Sequence, residues 1–114
     1  MGIDFSHCEA HWAYSGFARI RQRLAEQVGL PDYSEIENTA DPRFEKIIGD
    51  AILPLLAHSD CDGKLTPKEC RLVAPRLREM VASWPDDDYD KRQALELAEG
   101  MDAAAKAKQS LRFT

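Results

Sequence analysis

The sequence predicts an all-α fold: a small helical domain of about four main helices, with residues 1–114 as a single domain and one helix–loop–helix near its centre. Three observations predict it. Apolar residues recur at steps of three and four over long stretches. Nothing alternates with period two for long enough to argue a sheet, and β-branched residues are few. The breaks between the periodic stretches carry helix start and stop residues rather than hairpin turns.

The first helix is expected from about Ser6 to Val28. Ser6 and Glu9 have capping-box spacing, and Ala13, Phe17, Ile20, Leu24 and Val28 form one apolar stripe. Gly29 stands where a helix ends in a left-handed residue, and Pro31 follows. Residues 30–41 form a polar connector with one helical turn near Ser34 to Glu37. A second long helix is expected from Asp41, with Pro42 in its first turn and Phe44, Ile48, Ile52 and Leu55 as its stripe, widened by Ile47 and Leu56. Pro54 should kink or break it.

A third helix starts at "TPKE", with Thr66 as N-cap, Pro67 at the first position and Glu69 at the third. Leu72, Val73, Leu77, Met80 and Val81 supply its inner face, and Pro75 should kink it or split it in two. The acidic run Asp86, Asp87 and Asp88 suits the positive end of a last helix. Ala94, Leu97, Ala98, Met101 and Ala105 line that helix, and Lys106 and Lys108 suit its negative end. The tail "SLRFT" either frays or tucks Leu111 and Phe113 back against the rest.

Bulk properties narrow the function classes. Hydrophobic residues are 44% and charged residues 31% of 114, ordinary for a globular chain. The longest apolar run, Ala51 to Ala57, contains Pro54 and is far shorter than the roughly 20 residues a membrane span needs. The opening "MGIDFSHCEAHW" has no basic or apolar leader segment, and three cysteines with no CxxC pair read as reduced thiols, so a cytoplasmic setting is expected. The net charge of −5 arises within residues 32–66, where eight acidic residues face three basic ones. Such a surface disfavours nucleic acid and suits a cation or a basic partner.

That acidic region ends in "HSDCDGKLTPKE", residues 58–69. With Gly63 at position six of a twelve-residue loop, His58 is position one, Asp60 three, Asp62 five, Lys64 seven, Leu65 eight, Thr66 nine and Glu69 twelve. This stretch resembles the EF-hand family of calcium-binding helix–loop–helix modules. The resemblance implies weak binding of Ca²⁺ or Mg²⁺ through Asp60, Asp62, the Lys64 carbonyl, Thr66 directly or through water, and Glu69. It departs from the family pattern at His58, whose imidazole suits zinc or copper better than calcium. The entering segment lacks the family's aromatic pattern, and neither "PDYSEIENTAD" nor "PDDDYDKRQALE" supplies the glycine of a partner loop. Glu69 has a second role available as the capping-box residue, which needs no metal.

Other motifs are weaker. His7 and His11 would lie one helical turn apart, as zinc ligands often do, but no third ligand is marked by spacing. Trp12, Tyr14 and Phe17 cluster as core or contact aromatics, and Arg19, Arg21 and Arg23 alternate along the same helix, with Glu26 placed to pair with Arg23. No phosphate loop, nucleophile elbow or nucleophile–base spacing appears, so no enzyme activity is expected. The segment "HWAYSGFARIRQRLA" is similar to short uncharacterised proteins of actinomycete bacteria or their phages, which implies a bacterial cytosolic setting. Two functions follow as expectations. One is a non-enzymatic, acidic, EF-hand-like protein that binds a divalent cation weakly. The other is a metal-independent interaction module, immunity- or antitoxin-like, that recognises a protein partner or its own copy.

Overall fold

Alternation of period two governs residues 2–5 and 11–13. Ile3 and Phe5 point inwards on either side of exposed Asp4, and Trp12 is buried between exposed His11 and Ala13. In the computed structural model, which describes residues 2–36, 41–57 and 63–113, these residues form strands β1 (Gly2–Asp4) and β2 (His11–Ala13). They pair antiparallel, Gly2 with Ala13 and Asp4 with His11. Helix α1 (Tyr14–Gln27) therefore begins eight residues later than the sequence pattern indicates, and its start has no side-chain cap. Its end follows expectation. Gly29 has φ +89, Gly29 N–H donates to Glu26 and Leu30 N–H to Ala25, which satisfies the last carbonyls while Leu30 enters the core.

The second long helix is replaced by two short pieces. A 3₁₀ turn spans Pro42–Ile47, opened by Asp41, whose side chain accepts from Arg43 N–H. A single-turn helix α2 follows at Leu53–Leu56. Between them, Asp50 accepts from Ile52 N–H through its side chain and restarts the chain in a new direction. Ile48, a member of the expected stripe, is left 75% exposed by that turn. The connector carries a 3₁₀ turn at Tyr33–Glu35, one residue ahead of the expected turn, whose last residue Glu37 lies outside the described residues.

Strand β3 (Lys64–Leu65) leads into helix α3 (Pro67–Val81), which runs through Pro75 without interruption. Pro75 lies on the exposed face, so the Arg71 carbonyl that loses its helical partner faces water. Helix α4 (Tyr89–Lys106) is capped by Asp88, which accepts from Lys91 N–H, and packs along α3 as a helical hairpin. It ends with Lys108 in the left-handed region at φ 58. Lys108 N–H donates to Ala105 and Gln109 N–H to Ala104, the same arrangement as at Gly29. Gly100 on α4 is required by close approach: a Cβ there would lie 2.7 Å from Cys8 Sγ.

Strand β4 (Leu111–Arg112) completes the fold and does not fray. It pairs antiparallel with β3, Leu65 opposite Leu111 and Lys64 opposite Arg112. On its other side Phe113 bridges to Phe5, and Ser6 N–H donates to the Arg112 carbonyl. Leu65, Leu111, Phe5 and Phe113 face inwards. The all-α expectation is thereby corrected. Among the described residues, four α-helices and two 3₁₀ turns are joined by two small antiparallel sheets, a mixed and helix-dominated fold. None of these helices is long and apolar enough to cross a membrane.

The core has an aromatic centre. Phe5 meets Trp12, Phe17 and Phe113 edge-on at centroid distances of 5.9, 5.7 and 5.0 Å, and Phe17 also meets Phe113 at 6.1 Å. Each such pair contributes about 0.5–1.5 kcal/mol beyond area burial. A polar cross-link lies beside it. Arg23 grips Asp88 at 3.1 Å and Asp90 at 2.8 Å, its guanidinium lies 3.6 Å from the centre of the Trp84 ring, and Trp12 Nε1–H donates to Asp90. The expected Arg23–Glu26 pairing gives way to this clamp between α1 and the start of α4.

Two predictions follow from this packing. Phe113→Ala should lower stability by about 3–5 kcal/mol in denaturant titrations, the usual cost of emptying a buried aromatic site. The clamp should be acid-sensitive. Hydrogen bonding to Arg23 holds the Asp88 carboxyl below its ordinary value. A depressed carboxyl contributes stability above its unfolded pKa of about 3.9 and loses it as pH falls through the folded value. The gap in melting temperature between the native protein and Arg23→Met should therefore be widest near neutrality and shrink below about pH 4.

Candidate functional site

The expected ion loop enters the described residues at Gly63. His58, Asp60, Cys61 and Asp62 lie outside them. From Gly63 onwards the loop is built into the fold by protein groups. Leu65, at position eight, is fully buried beside Leu111. Thr66 is extended, with φ −67 and ψ 162, and its hydroxyl accepts from Glu69 N–H at 3.2 Å. Glu69 Oε1 accepts in return from Thr66 N–H at 2.9 Å. This reciprocal pair starts α3 without an ion. The entering element is the single turn of α2, where the family pattern has a full helix.

Lys64 belongs to a different arrangement. The backbone N–H of Arg112 donates to Ser6 Oγ at 2.8 Å, and its carbonyl accepts from Ser6 N–H at 2.9 Å. Phe113 N–H instead donates to the Gly63 carbonyl at 2.9 Å. Lys64 and Arg112 therefore form a non-hydrogen-bonded cross-strand pair, the kind in which side chains sit closest. Both side chains stand on the outer face of β3–β4, and the Lys64 carbonyl is turned away from β4.

Ser6, His7, Lys64, Gln109, Ser110 and Arg112 enclose a half-open cleft of about 460 Å³ on that face. Its wall is an ordered chain of hydrogen bonds. Ser6 Oγ, already accepting from Arg112 N–H, hydrogen-bonds His7 Nδ1 at 2.7 Å. His7 Nε2–H then donates to Gln109 Oε1 at 2.8 Å, which leaves the Gln109 amide protons directed elsewhere. His7 has φ 69, a backbone region that non-glycine residues occupy at a cost, and this turn carries its ring to Gln109. The Ser6–His7 contact joins a hydroxyl to a base, but Ser6 Oγ is also the acceptor that ties β4 to the N-terminal segment.

The remaining sequence candidates are dispersed. His7 and His11 do not share a helix face: His7 faces Gln109, and His11 in β2 bonds Asp4 at 2.9 Å. Among the described residues no three His, Cys, Asp or Glu side chains converge as a metal site. Cys8 is half-buried and Cys70 fully buried, and burial pushes both thiols above the ordinary range. Trp12 and Phe17 belong to the core, while Tyr14 is 39% exposed.

Sequence reasoning placed Lys64 in the ion loop and did not find Ser6, His7, Gln109, Ser110 or Arg112 as cleft residues. These come from segments about a hundred residues apart, united by the pairing of the β4 segment with Phe5–Ser6 and by the His7–Gln109 bond. The alternation of Leu111, Arg112 and Phe113 is the one local signal that "SLRFT" is a strand.

Thr66→Ala should lower stability by about 1 kcal/mol, the usual cost of a lost N-cap, in thermal or urea melts run in chelator. No family model matches the chain, and neither a curated protein nor a solved structure does.

Proposed function

We propose that the chain is a non-enzymatic binding module that works without a metal, in a cytoplasmic setting, and whose partner is a protein or a second copy of itself. The observation that carries this reading is the Thr66–Glu69 capping box. It gives the two last oxygen donors of the expected ion loop a structural task, and Leu65 anchors the loop from the core side. Ile48 and Leu72, two large apolar side chains of the expected stripes, are left 75% and 50% exposed.

A second reading retains weak Ca²⁺ binding through Asp60, Asp62, the Lys64 carbonyl, Thr66 and Glu69. The orientation of the Lys64 carbonyl favours it, since β4 does not consume that oxygen.

Calorimetric titration with Ca²⁺ and Mg²⁺ separates the two. The metal-free reading expects no heat and an unchanged melting temperature at millimolar Ca²⁺. A Ca²⁺-dependent rise in melting temperature that Asp60→Ala and Glu69→Gln abolish would establish the ion site instead, because a ligand bound only to the folded state must raise its stability.

A further inference from the structure

We propose that the cleft between Ser6–His7, β3 and the segment Gln109–Arg112 binds the phosphate group of a small phosphorylated polyol or sugar. The inference goes beyond the metal-free reading and stands whether or not the loop takes up calcium.

It starts from an electrostatic conflict. Lys64 and Arg112 are directly opposite in a non-hydrogen-bonded antiparallel pair, with both side chains on one face. Like charges so placed destabilise a sheet. The usual remedy is a carboxylate between them, and this acidic chain uses that remedy elsewhere: Arg23, Arg43, Arg76 and Arg78 each hold one or two carboxylates. Among the described residues, neither Lys64 nor Arg112 has an ion-pair partner and none that lines the cleft carries a carboxylate. A ligand anion resolves the conflict.

The lining selects the kind of anion. Two fixed positive charges match a phosphate monoester, which carries nearly two negative charges near neutrality, better than a carboxylate with one. Arg112 offers a planar fork for two phosphate oxygens and Lys64 a point charge for a third. Gln109 and Ser110, which also line the cleft, carry neutral donors. The volume of about 460 Å³ lies within the range of small-molecule sites and exceeds what a lone phosphate fills. Every side chain that lines it among the described residues carries a hydrogen-bonding group, which suits a hydroxylated remainder of the ligand.

The test uses the full chain, with calorimetry and thermal melts against glycerol phosphate, inorganic phosphate and glycerol. Glycerol phosphate should bind and raise the melting temperature, and glycerol should do neither. Lys64→Gln and Arg112→Gln, both at exposed positions, should each weaken binding at least about tenfold. Lys64→Gln should also melt higher than the native chain when no ligand is present, because it removes the like-charge pair. Lys106→Gln, outside the cleft, should leave affinity unchanged. Absence of heat and of a melting shift with millimolar glycerol phosphate would overturn the proposal. So would equal weakening by Lys106→Gln, which marks diffuse charge attraction, or native affinity in both cleft variants. Inorganic phosphate binding as tightly as glycerol phosphate would overturn the polyol part.

Discussion

The structure depends on the wedge formed by Leu111, Arg112 and Phe113. This short segment bonds to Gly63 and Leu65 on one side and to Phe5 and Ser6 on the other. Its inward residues complete two contacts at once: Leu111 covers Leu65, and Phe113 closes the ring cluster of Phe5, Trp12 and Phe17. A two-residue strand has little stability alone. Here both edges are satisfied and both inward side chains are buried, so backbone pairing and hydrophobic burial reinforce each other. The outward residue, Arg112, is then forced to stand beside Lys64. The feature that makes the cleft is a by-product of the register that makes the core.

Charge is organised around arginines rather than around an ion. The acid-rich region supplies Asp32 and Asp41 to Arg43, and Asp50 to Arg76. Each of these carboxyls is held below its ordinary range by its guanidinium partner. Asp50 also accepts from Ile52 N–H, so one side chain turns the chain and docks α2 against α3. Acidity that reads in the sequence as an invitation to a cation is in good part consumed in fastening the connector and the turns to the helices.

Three helices were legible because their signals are local. Ala94, Leu97, Ala98 and Met101 recur on one face of α4, the capping box of α3 is complete within four residues, and Gly29 stops α1. The errors arose where distant contacts override local pattern. Residues 6–13 carry helix-compatible spacing, but Trp12 and Ile3 gain more by alternating across β1–β2, and His7 turns left-handed to reach Gln109. Ile48 and Leu72 fit apolar stripes, yet the elements they sit on present them to solvent. For the ion loop, the positions described are those the helix start already explains. The cleft had no local signature, because its residues meet through the pairing of β4 and the His7–Gln109 bond.

The wedge also sets the order of events during synthesis. Phe113, which seals the aromatic cluster, is made about a hundred residues after Phe5, Trp12 and Phe17. Until Phe113 has cleared the ribosomal exit, α1 can form but its aromatic face has no lid. The α3–α4 hairpin, whose partners are adjacent along the chain, can assemble earlier. Between the synthesis of Phe17 and that of Phe113 the nascent chain therefore carries this aromatic surface uncovered, the kind of exposure that favours aggregation.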